Sequence, residues 1–279
     1  MLRKVVQHRT TSLWRTAMKK LSYLLILSGL VSVPAVAADS PHSVAFNVGI
    51  TTDYIFRGIS QSQHDPAISG GVDYSHSSGL YAGTWLSTQK WVDEGISAVS
   101  AYKDGSKLEL DLYGGYKGTA GDIGYDIGLI HYAYDGDRGV VRTVGVATPE
   151  TTEVYLGLSW KMLSFKYSHT VSNYFVGWGA PGTWNSKGSN YLELNATHDL
   201  GNGWGLLGHI GRQVIKDVPA PTNADYTDWK IGATKDVGFG VVTLAYSDTD
   251  GEGGIGQAYR WNGENVAKGV LALSFSKSF

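Results

Sequence analysis

The chain has 279 residues, 17% of them charged, with a formal net charge of -2, 37 glycines, 17 tyrosines, 9 tryptophans and no cysteine. That balance offers no basic footprint for nucleic acid, and a fold built on disulfides is excluded. Glycine and aromatics at this level suit an all-β chain with aromatic side chains at two interfaces and glycine where backbones crowd.

The N-terminus carries an export pattern. Met18-Lys19-Lys20 is a basic segment, Leu21–Val33 is apolar apart from small and hydroxyl residues, and Ala35-Val36-Ala37 is a small-x-small cleavage site. Residues 1–17 only lengthen the basic region, so Met18 is the expected true start, 1–37 the removed signal peptide and 38–279 the folded domain. The apolar run is shorter than the ~18 residues of a spanning helix. No later stretch approaches that length, so a helical membrane protein is excluded.

The first strand reads from Val44 to Arg57, with Val44, Phe46, Val48, Ile50, Thr52, Tyr54 and Phe56 alternating against Ala45, Asn47, Gly49, Thr51, Asp53, Ile55 and Arg57. Ile68–Tyr74 and Leu80–Ser87 flank the polar turn Ser75–Gly79 as a hairpin. Leu108–Tyr116 puts Leu108, Leu110 and Leu112 on one face against Glu109, Asp111 and Tyr113, and a turn over Gly118–Asp122 leads to Ile123–Tyr134. Glu153–Trp160 and Leu163–Val171 join through Lys161-Met162, Tyr191–His198 and Trp204–Ile210 through Asp199–Gly203, and Asp228–Lys235 and Val241–Ser247 through Asp236–Gly240. Gly269–Phe279 closes the chain with Leu271, Leu273, Phe275 and Phe279 on one face, interrupted by Lys277, whose amine is expected to snorkel to the membrane edge. The count is about twelve.

Connections after even strands are a few residues each. Those after odd strands are long and polar: Gly58–Asp65, Thr88–Ser106, Asp135–Glu150, Asn173–Gly188, Gln213–Thr227 and Asp248–Ala267. This alternation predicts a transmembrane antiparallel up-and-down β-barrel with short periplasmic turns and long extracellular loops. A soluble β-sandwich, the rival fold, has no such bias between its ends.

The terminal aromatic strand resembles the closing strand of bacterial outer-membrane barrels. Thr51–Ser62, Pro66-Ala67-Ile68, Gly79–Trp85, Asp111–Tyr116 and Glu153–Leu158 together resemble the TorF family of porins. The resemblance runs through most of 38–279 and implies an outer-membrane barrel, with little said about substrate.

If the apolar face meets lipid, the opposite phase carries Asp53, Arg57, Asp73, Glu109, Asp111, Asp126, Glu153, Lys166, Glu193, Asp228 and Lys230. A charge facing mid-bilayer costs a few kcal/mol, so their shared phase supports the barrel. Asp53, Arg57, Glu109, Asp111, Asp126, Glu153, Lys166, Glu193 and Lys230 are the expected pore-lining set, with Tyr113, Tyr132, Tyr155 and Tyr191 either narrowing the passage or forming stacking rails for a solute. The bland reading is that acids and bases pair across the lumen and plug it. Asp53 and Arg57, four apart, read either as a constriction pair or as a salt bridge fixing the first loop. The acidic excess weakly favours cations.

The expected function is passive diffusion of small hydrophilic solutes or ions through an outer-membrane channel. Its partners would be membrane lipid and the solute; no cofactor, metal or nucleic acid is implied. A non-conducting receptor or scaffold is the alternative, and a rim hydrolase using His131 or His169 a further one. No G-x-S-x-G or H-E-x-x-H motif supports the hydrolase.

Overall fold

In hydrocarbon every backbone N–H and C=O needs a partner within the protein, which for strands means a sheet with no edge. The structure, a computed structural model, describes residues 40–92, 106–136 and 147–279 and meets that demand. Twelve strands form a closed antiparallel barrel: β1 (His42–Thr51), β2 (Ala67–His76), β3 (Leu80–Thr88), β4 (Leu108–Ala120), β5 (Ile123–Tyr134), β6 (Thr151–Trp160), β7 (Leu163–Thr170), β8 (Asn190–Gly201), β9 (Trp204–Val214), β10 (Tyr226–Asp236), β11 (Val241–Thr249) and β12 (Val270–Ser278). Each strand pairs with its sequence neighbours, and β1 pairs with β12 from Asn47 opposite Ser278 to Thr51 opposite Ser274. The terminal Phe279 extends the seam, donating its N–H to Phe46 O at 2.9 Å and accepting from Phe46 N at 3.3 Å.

The twelve strands, their alternating short turns and long connections, and their two faces match the sequence reading, except that Tyr54 and Phe56, expected on the lipid-facing phase of the first strand, lie inside the lumen against Glu109, Trp85 and Tyr132. The proposed signal peptide lies outside the described residues, as do 93–105 and 137–146 of two long connections.

Outward positions are the apolar ones. Val44, Phe46, Val48 and Ile50 on β1, Ile127 and Leu129 on β5, Ile231 on β10 and Leu271 and Leu273 on β12 are all exposed. An apolar surface of this extent needs lipid. Aromatics ring both ends of it. At the turn end stand Tyr116 and Tyr125, Trp160 beneath the Lys161 amine (4.4 Å), Trp204 beneath Lys235 (5.0 Å) and Phe239 against Phe275. Trp229–Tyr246 and Tyr167–His169 mark the loop end. Lys277 lies on the apolar face, and its amine sits 4.5 Å from the Phe279 ring.

Inward positions alternate tyrosine with glycine across neighbouring strands. A Cβ on Gly83 would meet the Tyr113 ring at 2.5 Å, one on Gly115 the Tyr81 hydroxyl at 2.6 Å, and one on Gly128 the Tyr155 hydroxyl at 2.5 Å. These rings therefore lie flat along the wall, each over the glycine of an adjacent strand. The wall stays thin because of them.

The packed core is not between sheets but inside the loop-side mouth. Three buried clusters meet there. Ile59 packs with Tyr226, Tyr259 and Val266; Trp91 with Val92, Tyr132 and Tyr134; Phe175 with Ile215 and Ala224. Ile59, Trp91, Val92, Phe175, Ile215, Ala224, Tyr259 and Val266 come from connections, folded inward over the strand ends.

Three substitutions test this architecture. Leu129→Arg, outward in mid-strand, should lower folding free energy in lipid by about 2–4 kcal/mol, whereas Leu80→Arg at the turn end should cost no more than about 1 kcal/mol. Urea titration of refolding into vesicles reads both. Gly128→Val should cost about 1–3 kcal/mol through collision with Tyr155 and shift the temperature at which the barrel loses its folded gel mobility.

Candidate functional site

The first long connection carries the site. The sequence reading extended β1 to Arg57; the strand instead stops at Thr51. Thr51 Oγ1 donates to Asp53 O at 2.8 Å, and the Asp53 carboxylate accepts from Ser60 Oγ at 2.6 Å and Ser62 Oγ at 3.0 Å. Short hydroxyl and carboxylate side chains offer the backbone a turn in place of the ladder, and the period-2 pattern did not reveal it. The reading of 58–65 as an outside loop is corrected too. Ile55–Phe56 and Ile59–Ser60 form a two-residue ladder whose tip, Arg57-Gly58, points into the lumen.

Arg57 reaches halfway around the barrel. Its guanidinium donates to Glu153 on β6, Nη2 to Oε2 at 2.6 Å and Nη1 to Oε1 at 3.1 Å, and Nη1 also donates to Gln213 Oε1 on β9 at 3.0 Å. Its side chain is 8% exposed and that of Glu153 is 0%. The guanidinium carbon stacks over Tyr191 at 4.5 Å and Phe56 at 4.8 Å. Burial opposes the charge on Arg57, and the Glu153 carboxylate more than offsets this, raising its pKa above the usual arginine value. Gly58, at φ 80°, lies so close to β10 that a side chain there would collide with Asp228. The segment is thus tied to three walls and crosses the lumen.

A latch holds its far end. The His64 ring lies 2.7 Å from Asp53 Oδ2 through Nδ1 and 2.9 Å from the Asn265 carbonyl through Nε2, joining the first connection to the last. Arg57, Gln63 and His64 all have positive φ (50°, 53° and 65°). Non-glycine residues adopt that region at some cost and are held there by surrounding contacts. Asp53 and Arg57, read as a pair, are not partners: Asp53 belongs to the latch and Arg57 to Glu153.

The other predicted residues divide by height. Glu109 and Asp111 are buried on the loop side; Glu109 Oε1 accepts from the Tyr54 hydroxyl at 2.7 Å. On the turn side, Asp126 accepts from the Tyr81 hydroxyl at 2.6 Å, and Asp73 from the Tyr113 hydroxyl at 2.5 Å. Lys166 stands 4.4 Å from the Tyr155 ring and pairs in register with Glu193. Lys230 is beside His209 in register.

His209 was missed. Its Nδ1 lies 2.6 Å from Asn195 Oδ1 and its Nε2 2.9 Å from Asp228 Oδ2, while Tyr191 donates to Asp228 Oδ1 at 2.7 Å. Its place on the inward phase of β9 was the available signal. Gln213, read as loop, is inward on the same strand. His131 and His169, weighed for hydrolysis, face outward with Thr152 and Tyr167 as partners.

The sequence model of a family described as a bacterial protein of unknown function (Gcw_chp) matches residues 35–279. The chain belongs to this family. No curated protein matches it. Among solved structures it is similar to the KdgM porin in complex with disordered oligogalacturonate (6% identity, 85% of this chain and 98% of that one, TM-score 0.47). It is also similar to the NanC porin (11%, 85% and 98%, 0.46) and to the TodX deltaS2S3 mutant monoaromatic hydrocarbon channel (12%, 89% and 94%, 0.47). Similarity at this level says nothing about solute or mechanism. A closed barrel with an apolar exterior, in a bacterial family, places the chain in the outer membrane.

Removing one partner of a buried ion pair leaves the other uncompensated, at a cost of about 3–5 kcal/mol. Arg57→Ala should therefore destabilise the barrel strongly in urea titration, and Glu153→Gln added to it should recover a large part of the loss. Equal stability of the single and double variants would show that the unpaired Glu153 charge is not what the loss comes from, and an Arg57→Ala variant as stable as the native protein would show that the contact carries no energy.

Proposed function

We propose that the protein is a narrow porin-like channel for small hydrophilic solutes or ions, constricted by the inward-folded first connection. The observation that carries this reading is the charged row inside an otherwise lipid-facing wall. Carboxylates, amines and phenols point into the lumen, and the turn-side half keeps them partly exposed, as at Asp73, Asp126 and Lys166. A row of this kind filters solutes by size and charge. The resemblance to TorF-family porins points the same way. Asp53 would act through the latch and Arg57 with Glu153 as the constriction; Glu109, Asp111, Asp126, Lys166, Glu193 and Lys230 would line the path on either side.

One observation favours a second reading. Glu153, Thr151, Thr170 and Gln213 are wholly buried, and Trp91 is 0% exposed. A loop-side mouth so filled suits a barrel that presents its loops as a receptor or scaffold and passes current only when the first connection moves.

Single-channel recording of the refolded chain in a planar bilayer separates the two. The channel reading expects discrete steps in the native protein and larger steps in the Arg57→Ala, Glu153→Gln variant, whose crossing segment has lost its tie to β6. A folded barrel that stays silent in both forms would overturn the channel and leave the receptor.

A further inference from the structure

Asp111 is an inward-facing residue of β4 that the constriction does not use. Its cross-strand neighbours on the same face are Trp85 on β3 and Tyr132 on β5. The first connection supplies two more rings: Tyr54 meets Trp85 edge-on at 5.4 Å between centroids, and Phe56 meets Tyr132 at 5.6 Å. Asp111 is only 7% exposed, and its Oδ1 has no hydrogen-bond partner among the described residues. The charges that bear on it are the carboxylates of Glu109 and Glu153. Glu153 is taken by Arg57, and Arg57 is itself shared between Glu153 and Gln213. Glu109 accepts from the Tyr54 phenol, which carries no charge.

A buried carboxyl group with an unmatched oxygen and carboxylates for its nearest charges is costly to ionise, and a cation beside it offsets that cost. The walls decide which cation. Hard metal ions ask for six or more oxygen ligands, and the side chains flanking Asp111 are an indole and a phenol ring. An ammonium group asks for what is present, a carboxyl group for the ion pair and aromatic side chains beside it. We propose that Asp111, flanked by Trp85 and Tyr132, is a binding subsite for the ammonium group of a small organic cation. Binding of this kind does not depend on conduction. In a conducting barrel it makes organic amines a favoured solute class.

The test is a titration of methylammonium chloride into the refolded full chain in detergent, against potassium chloride at the same ionic strength, read by calorimetry and by the thermal unfolding midpoint. The native protein should show a saturable effect with methylammonium beyond that of potassium. Asp111→Asn should weaken it about tenfold or more, Trp85→Leu about threefold or more, and Asp122→Asn in the β4–β5 turn should leave it unchanged. Gel mobility before and after heating shows which variants are folded; if Asp111→Asn does not fold, Trp85→Leu decides. No saturable effect in the folded native protein, or an effect undiminished in the folded Asp111 and Trp85 variants, overturns the subsite. So does stronger binding of calcium than of methylammonium that is lost with Asp111. A chain that conducts but ignores methylammonium loses only the subsite, whereas one that binds it and never conducts keeps the subsite and loses the channel.

Discussion

Backbone hydrogen bonding in a medium without water is the constraint on which everything else here depends. A strand in hydrocarbon that lacks a neighbour exposes a row of unpaired N–H and C=O groups, each costing several kcal/mol. Twelve strands meet this by closing on themselves, and the seam between β1 and β12 is completed by the final residue, Phe279, paired with Phe46. Closure then imposes the two faces. One row of side chains must suit lipid, and the other is free to be polar because it never meets lipid.

The inside has its own difficulty. Twelve strands enclose a lumen wider than a single layer of wall side chains fills. The chain treats its two halves differently. On the turn side, tyrosines lie flat over glycines and polar groups stay partly wet. On the loop side, connections fold inward and pack Trp91, Phe175, Tyr259 and Val266 into a core. Carboxylates placed in that core find partners: Glu153 in Arg57, Asp53 in the His64 ring and Asp228 in the His209 ring. Asp111 stands apart from this pairing, which is why it draws attention as a place for a ligand.

The first connection is tied to the lumen wall on several sides. Its tip is tied to β6 and β9 by hydrogen bonds, its glycine fits against β10, and its base is latched through His64 to the last connection. A segment with so many ties holds left-handed conformations at Arg57, Gln63 and His64 that an isolated loop would leave. In the channel proposed above, passage would depend on how firmly these ties hold.

The fold was legible in the sequence. Lipid on one side of every strand enforces a period of two, and hairpin turns punctuate it, so strand number, faces and the alternation of turns and loops could be read locally. The inward phase of Glu109, Asp111, Asp126, Glu153, Lys166, Glu193 and Lys230 was legible for the same reason. What local pattern does not hold is the identity of partners. Arg57 and Glu153 are 96 residues apart, and His64 and Asn265 are 201 apart. Asp53 lay close to Arg57 in sequence and was paired with it, yet turned instead to Ser60, Ser62 and His64. Only closure of the barrel, which brings β1, β6 and β9 around one lumen, decides which charges meet, and whether a polar loop turns out to water or in to fill the space.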